Sequence, residues 1–119
     1  MKKIRIYSPD QYQSAISDNA YCIADFYKDR CPACTMLDLS LSRLAELADV
    51  SRCVLLKIKL EIVGESFFHS LAIRQTPTLL FVCDTIERAR LSGFQSPLQL
   101  KVAMQQLLFT TVEHEMTAV

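Results

Sequence analysis

The chain has 119 residues, Lys+Arg 13 balanced by Asp+Glu 13, half of its residues hydrophobic, and only two glycines and four prolines. That length fits one domain that buries about two thirds of its surface around a single core, with no metal or disulfide framework needed for stability. Balanced charge, with no basic cluster longer than Met1-Lys2-Lys3, argues against nucleic acid and anionic membrane as partners.

No apolar run approaches the length of a bilayer span, and the stretch from Ile4 to Gln11 is too polar for the core of a signal peptide. The expected location is the cytoplasm. Five cysteines are an odd number, and Cys22, Cys53 and Cys83 are scattered through apolar runs, which points to a reducing compartment and to packing roles for those three.

Lys3 to Tyr7 alternates apolar and polar residues and reads as a short strand. Ser8-Pro9-Asp10-Gln11 then has the form of a helix start, with Ser8 as cap and Gln11 able to reach back, and Tyr12, Ala15 and Ile16 form the inward face. The apolar run from Ala20 to Tyr27 reads as a buried strand. Beyond it, Cys34, Leu37, Leu41, Leu44 and Ala48 recur at steps of three and four, one face of a helix that begins at Pro32.

Cys53 to Leu60 is the next strand, with Lys57 and Lys59 sharing one face by period two. A helical turn or two around Phe67, Phe68, Leu71 and Ala72 follows, and Gly64 breaks the chain ahead of it. Pro77 cannot donate to a ladder, so it is expected at or before the first residue of a central strand, Thr78 to Cys83. Glu87 to Ser92 pairs with that strand through a polar turn near Asp84 and Thr85, and Gly93 ends it. A last helix opens at Ser96-Pro97-Leu98-Gln99 and carries Leu100, Ala103, Met104, Leu107 and Leu108 inward. One domain over residues 1–109 and a frayed tail over 110–119 are expected. The order βαβαβαββα calls for an α/β fold, a mixed sheet with helices on both faces.

The chemistry concentrates at Cys31-Pro32-Ala33-Cys34. Two cysteines with two residues between them can close a small disulfide and so cycle between dithiol and disulfide. Pro32 suits the first helical position, which puts Cys31 near the helix cap. There the unpaired N–H groups, the helix dipole and Arg30 favour a thiolate, whereas Cys34 lies on the inward stripe. An exposed nucleophile at Cys31 and a buried resolving partner at Cys34 are expected. Asp25, a carboxylate near the end of a buried strand, is costly unless paired or protonated, and burial raises its pKa.

From Ile4 to Leu108 the chain resembles the thioredoxin family. Asp25-Phe26-Tyr27, six residues before Cys31, the Cys31-Pro32-Ala33-Cys34 site, and Ile73-Arg74-Gln75-Thr76-Pro77-Thr78 carry the likeness together. The resemblance implies a thioredoxin fold with a central mixed five-stranded sheet. It implies that Pro77 is a cis-proline facing the cysteines, that the backbone of Thr76 pairs with an extended substrate, and that Gly93 lets a second loop approach it. It also implies that Asp25 takes the proton of Cys34 beside a buried lysine, for which Lys59 is the better match once a one-residue gap is allowed. Protein disulfides are then the substrates and a thioredoxin-reductase-like protein or another electron donor is the partner, with no metal or bound cofactor.

The departures from the family tune that expectation. Arg30 stands where tryptophan is usual, and Pro32-Ala33 replaces Gly-Pro between the cysteines, an arrangement that points to a less reducing couple. Leu39 replaces the proline of the central helix, and the glycine of the last hairpin is missing around Asp84. Two other functions stay open: a glutaredoxin-like reductase of glutathione mixed disulfides, and a thioredoxin-fold binding or assembly module without redox turnover. A zinc site is a weaker third reading, because Cys31 and Cys34 would have to recruit two of Cys22, Cys53, Cys83, His69 and His114.

Overall fold

The computed structural model describes residues 1–106. Its elements run β1 (Lys2–Ile6), α1 (Pro9–Asp18), β2 (Tyr21–Tyr27), α2 (Pro32–Leu47), β3 (Val54–Lys59), α3 (Leu60–Val63), α4 (Glu65–Ser70), β4 (Thr78–Cys83), β5 (Ile86–Ser92) and α5 (Pro97–Met104). The expected inward positions Leu107 and Leu108, the tail 110–119 and His114 lie outside the described residues.

Five strands form one mixed sheet in the order β1-β3-β2-β4-β5. β1, β3 and β2 are parallel, and β4 and β5 add antiparallel strands on the far side of β2. β2 is buried from Cys22 to Phe26, so its alternate residues face two separate cores. Cys22, Ala24 and Phe26 pack with Tyr12, Ala15 and Ile16 of α1 and with Phe67 and Phe68 of α4. Ile23 packs on the opposite face with Leu37, Leu41 and Leu44 of α2 and Leu100 and Met104 of α5. This is the expected thioredoxin fold, a five-stranded mixed sheet with helices on both faces.

The caps explain where the helices start. Ser8 Oγ accepts from the N–H of Gln11 at 3.1 Å, and the Gln11 side chain accepts from the N–H of Tyr7 at 2.6 Å. Ser96 and Gln99 make a full reciprocal capping box, with bonds of 3.2 and 2.7 Å. The single turn α3 was not anticipated from the sequence; at four residues it is too short to show a helical period. Gly64, at φ +91°, separates it from α4. α4 ends at Ser70, so Leu71 and Ala72 fall just past the helix instead of within it.

The hairpin between β4 and β5 turns on Asp84 and Thr85 alone, both with positive φ, at 50° and 68°. A two-residue turn of that kind is ordinarily built from asparagine and glycine. For a β-branched residue the left-handed region is costly. Thr85→Gly is therefore expected to stabilise the fold by about 0.5–1 kcal/mol net of the extra entropy of the unfolded chain, read as a higher urea midpoint at unchanged slope.

Candidate active site

The site forms where the C-terminal end of β2 meets the N-terminus of α2. Pro32 occupies the first helical position and Cys31 is the N-cap, its Sγ accepting from the backbone N–H of Cys34 at 3.3 Å. A sulfur thus takes the place that a serine oxygen takes in α1 and α5. Cys31 and Cys34 are joined as a disulfide, with their Cα atoms 5.2 Å apart. Cys34 is buried as the helical stripe required. Cys31 is only partly exposed, because its Sγ also lies 3.9 Å from the Thr76 carbonyl oxygen and 3.8 Å from Thr76 Oγ1.

The Thr76–Pro77 bond is cis, and Pro77 is buried directly before β4. Gly93 donates its N–H to the Pro77 carbonyl at 2.8 Å and holds φ at +81°, a conformation that glycine adopts without strain. Thr76, Pro77 and Gly93 are therefore gathered on one side of Cys31. Arg30, exposed and likewise at positive φ, immediately precedes the cap. Together with Ala33 at the second helical position, it completes the set of neighbours expected to tune the sulfur.

Asp25 projects from β2 toward the α2 side of the sheet and is 1% exposed. Strand register places Lys57 directly beside it. Lys57 Nζ lies 2.6 Å from Asp25 Oδ2 and 2.8 Å from Oδ1 of Asp38, a residue of α2 whose side chain is 48% exposed. The expectation of Lys59 as the buried lysine is corrected here. Lys59 is in register with Tyr27 at the strand end, and its ammonium pairs with Asp29 at 3.0 Å. Both lysines share a face, but only Lys57 is level with Asp25, so no gap is needed.

Burial drives the Asp25 carboxyl above the ordinary carboxylate range, and Lys57 offsets that only in part. Partial burial pushes Asp38 upward as well, but its bond and attraction to Lys57, helped by Lys3 and Arg5, bring it below the usual value. Desolvation works against the Lys57 charge, and the two carboxylates outweigh it, so Lys57 is held above its ordinary value. The Oδ1 atom of Asp25 has no hydrogen-bond partner among the described residues. It is a free lone-pair position on a buried carboxyl group.

A cleft of about 270 Å³ opens beside these groups, bounded by Cys31, Cys34, Asp38, Lys57, Arg30 and Arg5 among others. Asp38 was missed in the sequence. Its signal was present, since it lies four residues after Cys34 and so on the same helix face. The remaining cysteines are buried and unpaired; burial pushes Cys22 and Cys53 up to about 11. His69 is exposed, and among the described residues no three His, Cys, Asp or Glu side chains gather as a metal site would require.

A helix-capping disulfide above a buried acid and lysine, on a five-stranded mixed sheet, defines the thioredoxin-fold class of thiol-disulfide proteins. The sequence model of the thioredoxin family matches residues 3–106, and the chain belongs to that family. Among solved structures it is similar to a thioredoxin variant from Halobacterium salinarum NRC-1, at 25% identity over 89% of this chain and 90% of that one, with a TM-score of 0.77. Chloroplastic thioredoxin z is likewise 25% identical, over 90% of this chain and 95% of that one, with a TM-score of 0.75. The oxidised mitochondrial thioredoxin 3 of Saccharomyces cerevisiae shares the fold at 17% identity, over 87% and 94% of the two chains and at a TM-score of 0.76. Comparison of the sequence with curated proteins finds no match. Family and neighbours support a thiol-disulfide oxidoreductase in general terms.

Because burial raises Asp25 above its unfolded value, its contribution to stability is fully present below the unfolded carboxylate pKa of about 3.9 and is lost as the pH rises toward the folded value. Asp25→Asn removes that loss. The variant is expected to be more stable than the wild type at neutral pH, with the difference vanishing below about pH 4, as read by urea unfolding at both pH values.

Proposed function

We propose that this chain reduces protein disulfides by dithiol–disulfide exchange. The single observation that carries this reading is the placement of Cys31 as the cap of α2, in disulfide reach of a buried Cys34. In the dithiol form the N–H of Cys34 and the positive end of the helix stabilise a Cys31 thiolate, and Arg30 adds to that field.

That thiolate attacks one sulfur of a substrate disulfide, forming a mixed disulfide and expelling the other sulfur as a thiolate. Cys34 then gives its proton to Asp25 and attacks Cys31. The Cys31–Cys34 bond forms as the bond from Cys31 to the substrate breaks, and the two substrate thiolates become a dithiol by taking one proton from Asp25 and one from solvent. Thr76, Pro77 and Gly93 supply the surface along which an extended substrate segment lies. A reductase or another electron donor returns the site to the dithiol, in a reducing compartment such as the cytoplasm.

The identity of the residues between the cysteines sets the poise. Pro32 removes a donor that would be unpaired anyway, whereas Ala33, unlike a proline at that position, keeps its N–H at the mouth of the helix. A donor at the second helical position, where a cap can bond, favours the thiolate and so the reduced form, which makes the couple more oxidising. Pro32 also favours a second reading, reduction of glutathione mixed disulfides.

Insulin reduction separates the two readings when electrons come either from a thioredoxin reductase with NADPH or from glutathione. Turnover with the reductase is expected, and turnover with glutathione alone transfers the assignment to the second reading. Cys31→Ser is expected to fall to the uncatalysed background, and Cys34→Ser to trap substrate as a mixed disulfide visible on a non-reducing gel. Equilibration with glutathione buffers is expected to place the couple above the value of about −270 mV typical of thioredoxin.

A further inference from the structure

Lys57 divides its charge between two carboxylates, one buried and one at the lip of the cleft. We propose that Asp38 is a positioning residue for the resolving step: by holding Lys57 from the solvent side it keeps Asp25 basic enough to take the proton of Cys34. The inference rests on the reading of Asp25 as that proton's acceptor.

The geometry supports it in three ways. First, the ammonium of Lys57 has three N–H bonds, and the Asp25 and Asp38 contacts at 2.6 and 2.8 Å each use one. With Asp38 ionised, the trio carries two negative charges against one positive, so a single proton is strongly attracted to it. Second, the two carboxylates differ sharply in surroundings. Asp38 is half exposed and is kept charged by Lys57 first, with Lys3 and Arg5 of the edge strand adding to it, while Asp25 is shut away from water. The proton therefore goes to Asp25, where Oδ1 stands without a partner. Third, Asp38 and Cys34 are four residues apart on α2, so the helix that carries the resolving sulfur also carries the group that conditions its base.

Other charges meet at this place. Tyr27 of β2 lies under Lys57, its ring centroid 4.4 Å from Nζ, and Lys28, Asp29 and Arg30 line the same cleft from the loop before α2. Asp29 is engaged by Lys59. Cys31 and Cys34 complete the ring of titratable neighbours. Of these groups, Asp38 is the carboxylate that contacts Lys57 alongside Asp25.

Removing its charge should hand Lys57 wholly to Asp25 and make Asp25 a weaker base. The test is stopped-flow reaction of the reduced protein with an aromatic disulfide that releases a coloured thiolate. Release of the first equivalent reports attack by Cys31, and release of the second reports resolution by Cys34. For Asp38→Asn, which keeps shape and hydrogen-bond acceptor, the midpoint of the pH dependence of the second phase is expected to fall by roughly one pH unit. The carbon-13 titration midpoint of the Asp25 carboxyl is expected to fall with it. Asp38→Ser should shift the same way, and Asp38→Glu, which restores the charge, should return toward the wild type. Glu46→Gln, the same charge change farther along α2, should leave the midpoint in place.

A midpoint unmoved by Asp38→Asn and Asp38→Ser, while Asp25→Asn abolishes the titration, overturns the role of Asp38 and leaves that of Asp25 standing. An equal shift in Glu46→Gln overturns it too, as a general charge effect. A second phase whose pH dependence survives Asp25→Asn removes both.

Discussion

The pairing of Asp25 with Lys57 is the constraint around which this molecule is arranged. An unpaired carboxylate with almost no access to water is among the costliest features a small core can hold. Here it is tolerated because β3 lies between β1 and β2, with Lys57 in register beside Asp25. That order requires β2 to reach its parallel neighbour by a crossover, and the crossover is α2. The helix that must begin just past Asp25 is thus the helix whose first turn carries both cysteines. Acid, sulfurs and lysine all come from a single β-α-β unit, residues 25–57, and are fixed by one set of parallel hydrogen bonds.

The other half of the sheet brings loop backbone beside the disulfide. β4 and β5 are antiparallel, and the loops that precede β4 and follow β5 are tied by the Gly93 N–H on the Pro77 carbonyl. They arrive beside Cys31 because β2 pairs with β3 along one edge and with β4 along the other. Each strand neighbour of β2 therefore brings one ingredient: a cation for the buried acid, and a backbone turn beside the partly exposed sulfur.

Much of this was legible in the sequence because it follows from periodicity and local chemistry. The helical stripe from Cys34 to Leu44, the proline at the start of α2 and the serine caps of α1 and α5 each declare themselves within a few residues. The fold class followed from element order. What could not be read was anything set by register between distant strands. Lys57 and Lys59 are indistinguishable by alternation, and only the level at which β3 lies against β2 decides between them. Asp38 could be placed on the helix face of Cys34 by spacing, but its partner, a lysine 19 residues away, is fixed only by how α2 packs over β3. The turn at Asp84 and Thr85 was expected from its polarity, yet nothing local announced that two non-glycine residues would both take positive φ there.

In the proposed mechanism, stability and chemistry make opposite demands on the same carboxyl. Burial that raises Asp25 weakens the fold whenever the carboxyl is ionised, yet a base kept in the ordinary carboxylate range would be a poor acceptor for a thiol proton. A lysine alone would draw Asp25 further toward its charged form. Sharing that lysine with a half-exposed Asp38 moves the balance back, because the second carboxylate takes part of the cation's field and adds a like charge of its own. The compromise costs stability locally, and the two cores on either face of β2 are what allow it. Phe26, fully buried between Tyr12, Phe67 and Phe68 on one side, and Leu37 and Leu41 under α2 on the other, hold the strand so firmly that an acid can sit between them half satisfied.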